Sequence, residues 1–192
     1  MILTNRTYSP SGFTTSQTLI HIVDTNNSTQ NPAGSSYKAT IDDAISGSPF
    51  VVTVSGTGLN SSIRRDVNNL ASGDNSGALG GYSNSATTNY SMVVGGHQNI
   101  ISGGTHSFIG GGCENTSSGD YSTIGGGNGN TASGLRSFVG SGGGNISSST
   151  STVVGGGNCN TASGVYSFIG GGYLNTSSGY FSTVSGGYSN RA

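Results

Sequence analysis

Charge is what this chain most lacks. Six Lys or Arg and seven Asp or Glu among 192 residues leave a formal net charge of −1. The basic residues are scattered, so no cationic patch can be assembled, and neither nucleic acid nor an anionic membrane is expected as a partner. Long apolar runs are missing too. No stretch approaches the ~20 residues of a membrane-spanning helix, so no membrane insertion is expected. The opening residues, Met1 to Arg6, lack the charged-then-apolar layout of a secretory signal, and synthesis in a host cytoplasm is the expectation. Proline is down to three residues, and the 36 glycines do not fall at every third position, which excludes collagen. Low charge also separates the chain from ordinary disordered segments, which pair few apolar residues with high charge.

Carboxylates are equally sparse. Only Asp24, Asp42, Asp43, Asp66, Asp74, Glu114 and Asp120 are present, and two of these lie beyond residue 75. Glycosidic cleavage needs two carboxylates flanking a bond, so a non-enzymatic protein is expected. The histidines are His21, His97 and His106, and no Asp-rich calcium repeat or zinc spacing occurs, so neither metal nor cofactor is expected. Runs such as Gly155 to Gly157 lack the lysine of a phosphate-binding loop and read as turns.

What is present is a repeat. From Ser61 onward one unit recurs nine times, each copy marked by an aliphatic or small apolar residue: Ile63, Ala78, Val93, Ile109, Ile124, Val139, Val154, Ile169 and Val184. Successive markers stand 15 residues apart, except that Val93 to Ile109 is 16, with Gly103-Gly104 supplying the extra residue. Six residues beyond each marker stands an asparagine: Asn69, Asn84, Asn99, Asn115, Asn130, Asn145, Asn160, Asn175 and Asn190. Ser or Thr precedes each marker by two. Such a period, carried by β-branched residues and glycine turns, predicts an all-β parallel solenoid with 15-residue turns. Cys113 and Cys159 fall in different columns three turns apart, roughly 14 Å at ~4.7–4.8 Å per strand, so free thiols are expected.

Residues 1–60 do not repeat. Strands are expected at 18–24, 37–41 and 49–55, a turn-rich stretch at 26–36, and a helical turn at 42–45 capped by Thr40. This small β-rich region is read as a connector ahead of a roll at 61–192, whose ninth turn is incomplete. Arg64-Arg65-Asp66 replaces the glycine triplet in the first repeat, as expected of a solenoid's charged terminal turn. The regular repeat at Asn190-Arg191-Ala192 leads to the expectation of more chain, or a partner, beyond it.

Within a turn, the marker is expected to point inward from a first strand and the glycine triplet to make the first corner. The asparagine is expected to take a left-handed conformation and bond its neighbour one turn on. Thr-Ala-Ser or Thr-Ser-Ser forms a second strand with its middle residue inward. One Val or Ile per turn contributes ~1.5–3 kcal/mol of burial. Ordering the turn costs about 1–2 kcal/mol per residue in backbone entropy. Met92, Phe108, Phe138, Val153 and Phe168 precede their markers and therefore point outward, forming an apolar stripe. Three chains packed about one axis would cover it, so these five are expected homotrimer contacts.

Two units, Tyr121 to Gly127 (Tyr-Ser-Thr-Ile-Gly-Gly-Gly) and Asn130 to Gly140, resemble the head repeats of trimeric autotransporter adhesins. The resemblance spans residues 61–192 and implies a left-handed parallel β-roll assembled as a trimer. Viral fibres use similar repeats. This unit is one residue longer than the family's usual one, and neither a coiled stalk nor a membrane anchor is legible. The expectation is therefore a structural fibre on the outside of a virion, a phage tail or capsid fibre, contributing to host attachment. Residues 1–60 would dock it to a virion protein. Corner tyrosines Tyr82, Tyr173 and Tyr188 are the expected contacts for a host surface glycan. A bacterial surface adhesin is the alternative. A lower one is an ice-binding solenoid, suggested by the pairs Thr116/Ser118, Thr131/Ser133, Thr161/Ser163 and Thr176/Ser178, with Ile146 interrupting the series.

Overall fold

The computed structural model describes residues 53–55, 57, 61–64 and 68–192. These lie within one compact unit, Val51–Ala192. The elements expected at 18–24, 26–36, 37–41 and 42–45 fall outside the described residues. Those described form a parallel β-solenoid of about eight turns, and none of them is helical.

Each turn contributes one short strand to each of two sheets. The first sheet takes Ser62–Arg64, Gly77–Ala78, Met92–Val93, Phe108–Ile109, Thr123–Ile124, Phe138–Val139, Val153–Val154, Phe168–Ile169 and Thr183–Val184. The second takes Leu70–Ala71, Ser85–Ala86, Ile100–Ile101, Thr116–Ser117, Thr131–Ala132, Ile146–Ser147, Thr161–Ala162 and Thr176–Ser177. Strands within each sheet pair in parallel with a 15-residue offset, as in Ile124↔Val139. Across the long repeat the offset is 16, as in Val93↔Ile109 and Ile101↔Ser117. Both sheets keep their register because the second corner absorbs the extra residue. There the Thr105 amide donates to Asp120 Oδ1 at 2.8 Å, just as Asp74 donates to Asn89 Oδ1 at 2.9 Å.

The core is a single file. Markers from Val93 to Ile169 are fully buried, and facing them are Ala86, Ile101, Ala132 and Ala162. Ile101 departs from the expected small residue opposite the marker. At the first turn Ile63 is only half-buried. Its strand is covered by Thr53–Ser55, which pairs antiparallel with Ser62–Arg64. A crossing strand therefore sits on this end, where charge alone was expected to stop stacking; residues 65–67 lie outside the described set.

Inside the first corner runs the asparagine ladder. Asn130 is representative: its amide N–H donates to Asn115 Oδ1, and its Oδ1 accepts from Asn145 N and Nδ2. Its own Nδ2 donates to the Gly126 and Gly142 carbonyls, both at 2.9 Å. Asn84 to Asn175 are completely buried, so the carboxamides replace every hydrogen bond that water would make. Asn190 continues the ladder from an exposed position, donating to Asn175 Oδ1. The left-handed residue is not the asparagine, as expected, but the one before it: Gln98, Glu114, Cys159 and Leu174 have φ between 54 and 59°. That inversion turns the corner while the asparagine side chain stays directed inward.

Of the three glycines, only the third is demanded by its own dihedral. Gly112, Gly127 and Gly172 have φ of 92–95°, and a Cβ there would stand 2.0–2.1 Å from the carbonyl oxygen one turn on. The middle position is open enough that Ser141 occupies it. A φ near 55° is tolerated by ordinary residues at about 1–2 kcal/mol, which is why Leu or Glu stands before the asparagine.

A second polar file lies two residues before the markers. Ser122 bonds Ser117, Thr152 bonds Ser147 at 2.7 Å, and Ser182 bonds Ser177 at 2.6 Å. Where the facing residue is Ala132 or Ala162, the buried hydroxyls of Ser137 and Ser167 have no hydrogen-bond partner.

Two predictions follow from these files. Asn130→Asp keeps the acceptors but loses both donors to buried glycine carbonyls, at about 1–3 kcal/mol each. A thermal or urea melt should show at least about 2 kcal/mol of destabilisation. In the same assay, Ser122→Ala strands the Ser117 hydroxyl and should cost about 1–3 kcal/mol, whereas Ser137→Ala removes an unpaired hydroxyl and should be neutral or stabilising.

Candidate interaction surfaces

The outer face of the first sheet carries the stripe expected from the sequence. Met92, Phe108, Phe138 and Phe168 project outward and are 38–40% exposed, with Val153 half-buried among them. The rings bend over their own turn: the edge of Phe108 lies 3.5 Å from where a Cβ on Gly110 would stand, and Phe138 and Phe168 sit alike over Gly140 and Gly170. Glycine just after the marker thus lets an aromatic ring fold sideways onto the sheet. Phe recurs at every second turn, with Thr123, Val153 and Thr183 between. Inside and outside alternate together. Phe turns carry inward Ser117, Ser147 and Ser177, while the Thr123 and Val153 turns carry Ala132 and Ala162. The true unit here is therefore two turns, a pattern legible in the alternating Thr-Ser-Ser and Thr-Ala-Ser segments.

A file of single parallel bridges runs along the first corner, through Tyr82, His97, Cys113, Asn128, Gly143, Asn158, Tyr173 and Tyr188. It brings Tyr173 and Tyr188 together, with ring centroids 5.7 Å apart and a 29° interplanar angle. Tyr82 lies six turns away and stacks instead on His97 at 5.9 Å. All three tyrosines are exposed, and each has one ring face against a neighbour. Cys113 Sγ lies 3.6 Å from His97 Nδ1.

The sequence places Tyr90, Tyr121 and Tyr166 in one column just ahead of the first strand, and the structure joins His106 and Phe181 to them in a second aromatic file. His106 is sandwiched between Tyr90 at 4.7 Å and Tyr121 at 5.0 Å, and Tyr166 stacks on Phe181 at 5.1 Å with Tyr180 edge-on to both. These stacked residues all hold φ of 57–58°, a conformation that bulky side chains rarely adopt. Ring stacking between turns offsets part of that strain, at about 0.5–1.5 kcal/mol per pair. Columns of identical chirality one strand spacing apart make such stacks automatic once two aromatics share a column.

The outer face of the second sheet is different again. Thr131 pairs directly with Thr116, and Thr161 with Thr176, while Leu70, Ile100 and Ile146 interrupt the hydroxyl file. Among the described residues no group of three or more His, Cys, Asp or Glu side chains converges.

Both cysteines are free thiols, Cys159 exposed and Cys113 half-buried against His97. An aromatic disulfide reagent applied to the native chain should therefore titrate both thiols, Cys159 first; a single reactive thiol would contradict this placement. Set against known proteins, the chain matches no family model and no curated protein.

Proposed function

We propose that this chain is the shaft of a homotrimeric fibre on the exterior of a virion, acting in host attachment. The observation that carries this reading is the exposed apolar stripe of the first sheet. Met92, Phe108, Phe138 and Phe168 lie in one column, with Thr123 and Val153 between the rings, on a solenoid whose own core is one residue wide. Large exposed apolar patches mark protein contacts. A thin core gains little from each turn, so sharing the stripe among copies supplies the missing burial. Rolls aligned along a common axis place the Phe rings of every copy at the same heights. The resemblance to adhesin head repeats supports threefold closure and the left-handed coil.

In this reading the roll of about eight turns provides length, ~38 Å at ~4.8 Å per turn. Residues 1–60 dock the fibre to a virion protein. The paired rings of Tyr173 and Tyr188 are the most compact aromatic surface at the first corner for a host glycan. Sparse charge suits a shaft that must not adhere indiscriminately. The same architecture serves a bacterial surface adhesin, and location separates the two.

Native mass measurement tests the assembly. The full chain should run at three times its 19.0 kDa mass. Phe108→Ser/Phe138→Ser/Phe168→Ser should shift the population toward monomer while keeping the β-sheet circular dichroism. A well-ordered wild-type monomer at micromolar concentration would end the fibre reading. Peptides of the chain recovered from purified particles support the virion; recovery only from a cell envelope supports the adhesin.

A further inference from the structure

The second sheet carries a surface that the fibre reading leaves unused. Its outward positions between residues 116 and 178 are Thr116, Thr131, Ile146, Thr161 and Thr176 in one file. A serine follows two residues after each of them, from Ser118 to Ser178. Parallel pairing repeats these hydroxyls at ~4.8 Å along the roll and at ~6.6 Å across it. The array is two-dimensional, and the backbone ladder holds it rigid.

Two further observations bear on what it meets. First, the hydroxyls of Thr116, Thr131, Thr161 and Thr176 make no hydrogen bond within the described residues. Thr87, on the same face nearer the start, instead spends its hydroxyl on the Ile101 carbonyl. Each free hydroxyl offers one donor and two acceptor lone pairs. Second, the outward positions from 116 to 178 hold no charged and no aromatic residue, and the charge in that column stands at its end, where Arg191 pairs with Thr176. A soluble ion finds no counter-charge there, and a sugar finds no ring to stack on. Among the described residues, the exposed aromatics lie on the first sheet and at the corners. A rigid, neutral lattice of hydroxyls and methyls suits a solid whose surface is itself a lattice of hydrogen-bonding groups.

We infer that the second sheet binds the surface of ice, through the hydroxyls and methyls of Thr116, Thr131, Thr161 and Thr176. Ordered water joins the hydroxyl lattice while the threonine methyls sit against its open cages. Ile146 breaks the file at its centre, leaving two threonines on either side. The inference does not depend on the number of copies in the fibre, because it uses the face opposite the apolar stripe.

The experiment is direct. The full chain, cooled with a single ice crystal, should shape the crystal and hold a gap between its melting and freezing points. Thr131→Lys/Thr161→Lys, with unchanged circular dichroism, should reduce that gap to the level of buffer. Ile146→Thr joins the two halves of the file and should widen it. Absence of shaping and of a gap in the wild-type chain overturns the inference, as does a gap undiminished in the folded double variant. Should the double variant fail to fold, Ile146→Thr decides: a gap no wider than wild type counts against the surface.

Discussion

The buried carboxamide ladder is the constraint on which the roll depends. An asparagine inside a protein is costly unless both ends of its amide are met. Here they are met only if another asparagine stands one turn above and another one turn below. Oδ1 of Asn115, for example, accepts from the Asn130 amide, while the Asn115 amide and Nδ2 both donate to Asn99 Oδ1. The glycine carbonyls of the first corner complete the set. A turn of the wrong length would leave several buried polar groups unmet at once. The period is thus held by polar satisfaction as much as by the aliphatic file beside it.

From that constraint the surfaces follow. Because every turn repeats its predecessor's backbone, residues in one column become a straight row one strand apart. Columns of phenylalanine become an apolar stripe, columns of tyrosine and histidine become ring stacks, and columns of threonine become a hydroxyl lattice. The two sheets present opposite chemistry because the core between them is only one residue deep from each side. Among the described residues, the recognition chemistry on offer lies in rows. The long repeat shows how tolerant this scheme is, since Gly103 is added at a corner without disturbing either sheet.

Local strain is distributed along the rows. Two residues per turn sit in the left-handed region with side chains as large as Leu174, Tyr121 or Phe181. Their backbone amides compensate by reaching back to the preceding turn, as Glu114 does to His97 and Tyr121 to Thr105, both at 2.9 Å. Buried serines without partners, Ser137 and Ser167, mark where the two-turn unit trades a hydroxyl pair for an alanine. These are small local costs, tolerated because the repeated ladder spreads cohesion over every turn.

Much was legible from the residues alone. The 15-residue period placed the markers inside, the Phe stripe outside and the asparagines in a ladder, because side-chain alternation along a strand obeys a period of two. It also placed the extra residue at Gly103-Gly104. Handedness of individual residues was not legible: nothing local distinguishes Asn115 from Glu114 as the inverted one until the amide's inward partners are known. The column of Tyr90, Tyr121 and Tyr166 was legible by counting, but the stacking of His106 between the first two is set only across turns. The strand expected at 49–55 is present at Thr53–Ser55, but its antiparallel pairing with Ser62–Arg64 joins segments that share no periodicity. By itself the sequence determined which residues share a column, since that requires only counting. The tertiary structure decided which columns face one another and which hydroxyls and rings stay free, because those depend on how the corners close.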